Sequence, residues 1–240
     1  CILTLKLKLK MYLNCHTYYS LRYGIFSVQD LCKLAEHNGA SQLALTDINN
    51  TSACLEFLKI TKATDIKPLV GIDFRNAVDQ QYVGVAKNNE GFRQLNEHLS
   101  NHLHQKKEFN PEAPPLPDCF IIYPFEKINA LKKINFRSNE FIGVSIENLR
   151  KLKFSTYRKL EEKLVILQSV SFRNKKDYNA HRLLRAIDNN TLLSKLPATE
   201  QGSFSQQMIS AKQLEKEFEE FPHIPENTQK IAASCQVDFE

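Results

Sequence analysis

No two of the six cysteines (Cys1, Cys15, Cys32, Cys54, Cys119, Cys235) stand in C-x-x-C spacing, which argues against a zinc ribbon and a dithiol redox motif. Cys32 and Cys54 fall within helix-like apolar patterns and read as small packing hydrophobes. Such usage points to a reducing cytoplasm. No stretch approaches the ~18 consecutive apolar residues of a membrane span. Residues 2–10 (ILTLKLKLK) alternate with period two, unlike the unbroken apolar block of a secretory signal. Met11 reads as a natural start, with residues 1–10 an upstream extension or disordered start. Gly71 and Gly91 are isolated, so no glycine-rich phosphate loop forms, and neither a Walker nor a G-x-S-x-G pattern occurs. A net charge of +5 permits a polyanionic partner without demanding one.

What is present suits one soluble domain of roughly 200 residues with an appendage, or two small ones. Of the 240 residues 42% are hydrophobic and 25% charged, enough for a core without staples. Strands are expected at Met11–Cys15, Gln42–Thr46, Pro68–Phe74, Tyr82–Ala86, Cys119–Tyr123, Phe141–Ile146 and Leu164–Val170. Between them lie helical patterns: one capped by Ser27 and ended by Gly39, then Ala53–Thr61, a long one from Asn89, Ile128–Lys133, and Lys175–Asn189. In the last, Leu183, Leu184 and Ile187 call for partners beneath them. Pro111, Pro114, Pro115 and Pro117 make residues 106–118 a loop. Strand–helix alternation argues for an α/β fold with a mainly parallel sheet, with any chemistry at the strands' carboxyl ends. After residue 196 only helical patterns remain, Ser210–Phe221 and Pro225–Ser234, and the chain stops at Val237–Glu240 as another strand would begin.

Six segments, in order, resemble the N-terminal PHP (polymerase and histidinol phosphatase) domain of bacterial DNA polymerase III alpha subunits. Residues 12–20 (YLNCHTYYS) are similar to the family's His-x-His and Tyr-Ser motif, and 43–49 (LALTDIN) to A-L-T-D-H-G. Residues 66–74 (IKPLVGIDF) resemble I-K-P-I-x-G-x-E-F, and 86–92 (AKNNEGF) resemble A-K-N-x-x-G-Y. Residues 180–187 (AHRLLRAI) match A-H-x-x-L-x-x-I, and Glu226-Asn227-Thr228 with Ile231-Ala232 resemble the connector toward the polymerase body. The resemblance implies a distorted (β/α)7 barrel over residues 11–196, followed by a short all-helical connector over 197–240 leading toward a polymerase palm.

Active PHP domains hold divalent metals on His, Asp, Glu and sometimes Cys, whose lone pairs and charge offset the clustered cations. Here the positions matching those ligands are Asn14, His16, Tyr23, Asp47, Ile48, Asp73, Gln81, Ser169 and Ser171. Asn14, Ile48, Gln81, Ser169 and Ser171 are poor or impossible metal donors, and no His or Cys stands near Tyr123–Glu126. Only His16 and Asp73, aided by Asp47, could hold a single ion. The expectation is therefore no metal, no cofactor and no catalytic residue in this segment, Mg2+ belonging to the parent polymerase. The resemblance further implies a DNA-directed DNA polymerase (a nucleotidyltransferase) as parent. The implied partners are the polymerase body of the same chain, the proofreading exonuclease subunit, the replicase holoenzyme, and DNA through the parent; no membrane is expected. The alternative is a metal-dependent PHP phosphoesterase or 3′–5′ exonuclease.

Two other groups invite a functional reading. His98 and His102 are four apart on one helix, a chelating spacing, but lack a third ligand and read as structural, as does His104. The basic run Arg150–Lys159 interleaves Phe154 and Tyr157, a pattern that suits a phosphate backbone, yet Glu161 and Glu162 follow and a solvated helix face is the plainer reading.

Overall fold

A computed structural model describes residues 10–239. Most of the segment expected as an upstream extension, residues 1–9, lies outside the described residues. The strands are β1 (Met11–Cys15), β2 (Gln42–Leu45), β3 (Lys67–Asn76), β4 (Asp79–Ala86), β5 (Cys119–Pro124), β6 (Glu140–Val144), β7 (Leu164–Ile166) and β8 (Ser169–Val170). They form one sheet in the order β7-β6-β5-β4-β3-β2-β1-β8. All neighbours run parallel except β4, which is antiparallel to both β3 and β5. The family's distorted barrel is recognisable in the way the sheet ends. Its edges, β7 and β8, are separated in the chain only by Leu167 and Gln168. Leu167 N–H still donates to Val144 of β6, whereas Val170 accepts from His16 just past β1. One kinked run thus pairs first with one edge neighbour and then with the other, and the sheet must curl to allow it.

Strands buried on both faces lose the alternation of a half-exposed sheet. All five residues of β1 are buried, as are Leu69–Arg75 of β3. Helices α1 (Val28–His37), α2 (Cys54–Thr61), α3 (Asn89–Gln105), α4 (Phe125–Leu131), α5 (Leu149–Lys153) and α6 (Lys175–Asp188) follow in chain order. Ser27 caps α1 by accepting from Asp30 N–H at 3.0 Å, and Gly39 ends it with φ of 78°, where a side chain would strain the backbone.

One expectation is corrected. Leu183 and Ile187 of α6 are not covered: they are 52% and 59% exposed. The helix buries Asp177, His181, Arg185 and Ala186 instead, because His181 and Arg185 bind loop carbonyls and amides beneath it.

The tail carries α7 (Ala211–Glu217) and α8 (His223–Ser234) and packs on the barrel as part of the same core, with Leu214, Phe218, Ile224 and Ala232 fully buried. Thr228 Oγ accepts from Ile166 N–H at 2.8 Å, and Asn227 donates to Glu161 and Leu164. Lys67 Nζ, on the first residue of β3, donates to the Ala232 and Ala233 carbonyls at the carboxyl end of α8. A cation there also complements the helix dipole. Among the described residues no helix is long and apolar enough to cross a membrane.

The β3–β4 hairpin turns on Ala77 and Val78, and Ala77 has φ of 53°. An L-residue in that region costs ~1–2 kcal/mol, partly offset by the entropy glycine would lose. Replacing Ala77 with Gly should therefore raise stability by about 0.5–1 kcal/mol. Urea denaturation reads this directly, and an unchanged or lower midpoint would contradict the strain.

Candidate functional site

The parallel strands deliver their carboxyl ends to one mouth of the barrel. His16 follows β1, Asp47 follows β2, Asp73 lies late in β3, Ser169 opens β8 and Ser171 follows it. Asn14, His16, Asp47, Asp73 and Ser171 are all buried.

Asp73 is the hub. Its Oδ2 lies 2.9 Å from His16 Nε2 and accepts from Gln80 Nε2 at 2.8 Å. The same oxygen accepts from Arg75 Nε at 3.0 Å and Arg75 Nη2 at 2.7 Å. Period-two geometry places residues 73 and 75 on one face of the strand. The guanidinium is almost fully buried and lies 4.8 Å from the centre of the Tyr23 ring, a cation–π contact. Burial alone would raise the Asp73 carboxyl, but Arg75, followed by His16, outweighs it and holds the group well below the usual carboxylate range. Burial likewise works against the Arg75 charge, and Asp73 overcomes it. Both groups stay ionised. Oδ1 of Asp73 is buried without a hydrogen-bond partner.

The other matched positions divide in two. Asn14 donates to Ser169 Oγ at 2.8 Å and accepts from Thr46 Oγ at 2.7 Å, and His16 Nδ1 lies 2.8 Å from Ser171 Oγ. Tyr23 donates to Gln206 Oε1, which Ser171 also reaches, each at 3.1 Å. These positions converge with Asp73. Asp47 does not face the same centre: its oxygens accept from Thr17 N–H, Thr17 Oγ and Ser20 Oγ at 2.6–2.7 Å. Burial raises its carboxyl, and the Ser20 and Thr17 hydrogen bonds offset this in part. Ile48 is half-buried and only its amide is engaged, donating to Ser20 Oγ. Gln81 binds Asp79, and its neighbour Gln80 reaches the hub instead. The cause is a bulge: Phe74 pairs with Tyr82 but Arg75 with Gln80, so Gln81 has no opposite residue.

Sequence reasoning missed Arg75, Gln80, Gln206 and His181. The last is a clasp: its Nδ1–H donates to the Tyr23 carbonyl and its Nε2 accepts from Gly202 N–H, both at 2.8 Å. It joins the loop after β1 to the loop at 201–207. Gly24 serves the first of these loops, since a Cβ there would fall 1.7 Å from the Thr17 carbonyl oxygen.

This donor set does not fit a divalent metal. Both nitrogens of His16 are engaged, Asp47 is spent on a turn, and Asp73 presents its charge to a guanidinium that repels a second cation. Among the described residues no three His, Cys, Asp or Glu side chains gather as a metal would need. Ser171–His16–Asp73 has the connectivity of a hydrolytic relay, but Ser171 is fully buried and lies against Gln206. His98 and His102 sit in an aromatic cluster: Tyr82 OH lies 2.6 Å from His98 Nε2, and Phe109 stacks on His102 at 4.6 Å. In the basic run, Tyr157 is buried and bonded to Ile128, Lys151 pairs with Glu126 and Lys153 with Glu220, leaving Phe154 exposed.

A curled, mainly parallel α/β sheet with a polar crevice at its carboxyl ends is the layout of barrel enzymes. The model of the PHP domain matches residues 13–136, just over half of the chain, and the chain belongs to that family. It is similar to the DNA polymerase III subunit alpha of Ureaplasma parvum, 31% identical over 75% of this chain and 16% of that protein. It is also similar to the protein of that name from Pseudomonas fluorescens, 24% identical over 95% of this chain and 22% of that protein. For Staphylococcus aureus the figures are 25%, 85% and 19%. The chain thus spans about a fifth of the length of these relatives.

His181 makes stability pH-dependent. Burial, foremost, pushes its imidazole down to about 4; the Tyr23 carbonyl opposes this and Arg185 adds to it. The unfolded ring takes its proton near ~6.5, so between those values the unfolded state binds more protons. The contribution is complete above pH ~6.5 and is lost as pH falls toward 4, on the order of 2 kcal/mol. Melting curves from pH 7.5 to 4.5 should therefore fall less steeply for His181→Gln than for the parent chain. Equal slopes would contradict the clasp.

Proposed function

We propose that this chain is the PHP portion of a bacterial replicative DNA polymerase III alpha subunit and acts as a non-catalytic structural and docking module. Its partners on this reading are the polymerase body of the same protein and the proofreading exonuclease subunit, within the replicase holoenzyme in the cytoplasm. DNA-templated synthesis, with its Mg2+, belongs to the parent protein and not to this barrel, and DNA is reached through the parent. The remnant positions Asn14, His16, Tyr23, Asp47, Ile48, Asp73, Gln81, Ser169 and Ser171 then serve packing, without metal or cofactor. Support comes chiefly from one observation: the carboxylate at the centre of the crevice is already neutralised by a buried arginine. Without a bound metal the crevice lacks the Lewis acid that would ionise a water near neutral pH. The competing reading, a metal-dependent phosphoesterase or 3′–5′ exonuclease, has no comparable feature in its favour.

The purified chain should release no nucleotide from the 3′ end of single-stranded DNA in the presence of Mn2+ or Mg2+, and should not hydrolyse phosphomonoesters. Turnover that survives purification and disappears in Asp73→Asn would refute the inert reading. In a pull-down, the cognate exonuclease subunit should be retained by the parent protein. Deleting residues 11–196 should abolish that retention; unchanged retention and unchanged stability would end the docking reading.

A further inference from the structure

The family implies a cation-filled crevice, and the residues here disagree with it in a specific way. A buried carboxylate needs a counter-charge, because an isolated ion in a low-dielectric interior is very costly. In this chain the counter-charge is covalent. Two nitrogens of Arg75 bind Asp73 Oδ2, the Tyr23 ring lies against the guanidinium, and Gln80 and His16 complete the shell around the same oxygen. Tyr23 lies with its ring against that guanidinium, and an aromatic face suits a guanidinium far better than it suits a hydrated metal ion.

We propose that Arg75 is a built-in replacement for the metal: its guanidinium occupies the face of Asp73 that a divalent ion would need, shuts the crevice to such ions, and holds the strand ends together in their place. The inference deepens the inert-scaffold reading but is separable from it, since docking is read by pull-down and the tethered cation by melting and ion binding. Removing the side chain leaves a buried, uncompensated carboxylate beside a guanidinium-sized cavity. That cavity is a binding site for a small planar cation.

The test uses the whole chain and two probes, Mn2+ and methylguanidinium. Millimolar Mn2+ should leave the melting temperature of the parent chain unchanged. Arg75→Ala should melt roughly 6–15 °C lower, the range expected when one partner of a buried ion pair is removed. Methylguanidinium should recover part of that loss in Arg75→Ala, whereas urea at the same concentration should not. The double variant Asp73→Asn/Arg75→Met, which removes both charges, should be less damaged than the sum of its singles. The singles of that cycle are Asp73→Asn and Arg75→Met; if removing Arg75 alone prevents folding, a double variant that folds supports the proposal, one that does not fold overturns it, and the Mn2+ titration of the unsubstituted chain still decides. The proposal is overturned if Mn2+ stabilises the parent chain, if Arg75→Ala melts like it, or if the two substitutions simply add.

Discussion

A carboxylate buried at the mouth of a barrel cannot stand alone, and which cation sits beside it determines what the barrel can do. Asp73 has no exposed surface, yet it is held ionised by Arg75 two residues along the same strand. Around this pair the strand ends are drawn together: β1 through Asn14 and His16, β3 through Asp73 and Arg75, β4 through Gln80, and β8 through Ser169 and Ser171. Several kcal/mol of desolvation per ion must be offset there, and the fork of Arg75, the imidazole and the amide supply the compensating bonds.

The remaining polar groups secure the loops above the pair. Asp47 spends its oxygens on Thr17 and Ser20, His181 joins Tyr23 to Gly202, and Gln206 receives Tyr23 and Ser171. Side chains at the positions that the family resemblance marks as ligand positions thus act as internal donors and acceptors. Apart from Asp73 Oδ1, the network is satisfied from within, and it offers few groups to a substrate. That is the physical content of calling the module a scaffold.

Most elements were legible because their signals are local. Ser27 and Gly39 bracket α1, prolines forbid a helix over 106–118, and apolar runs mark the strands. The break at Leu167–Gln168 was not: Gln168 and Ser169 interrupt the apolar run there, but two polar residues do not announce a change of pairing partner. The outward-facing Leu183 and Ile187 misled for a related reason: periodicity identifies an apolar face without saying that it is the buried one. At the site, Arg75 was readable in principle, since it follows Asp73 by two on a strand. Gln80 was hidden by a bulge; His181 stood in a matched motif, but its partners, like those of Gln206, are too distant in sequence for that motif to reveal.

A tethered cation and an exchangeable one stabilise a fold in different ways. A bound metal contributes according to its free concentration, so its domain weakens as the ion becomes scarce. A guanidinium contributes equally under all such conditions and remains charged at any physiological pH. It also lacks the open coordination position from which a metal polarises water, so the stabilisation comes without chemistry. On the proposed reading, in which the module has only to remain folded within a larger protein, lacking the reaction and keeping the charge are compatible. The Tyr23 ring, against which the guanidinium lies, fits an interior built around arginine.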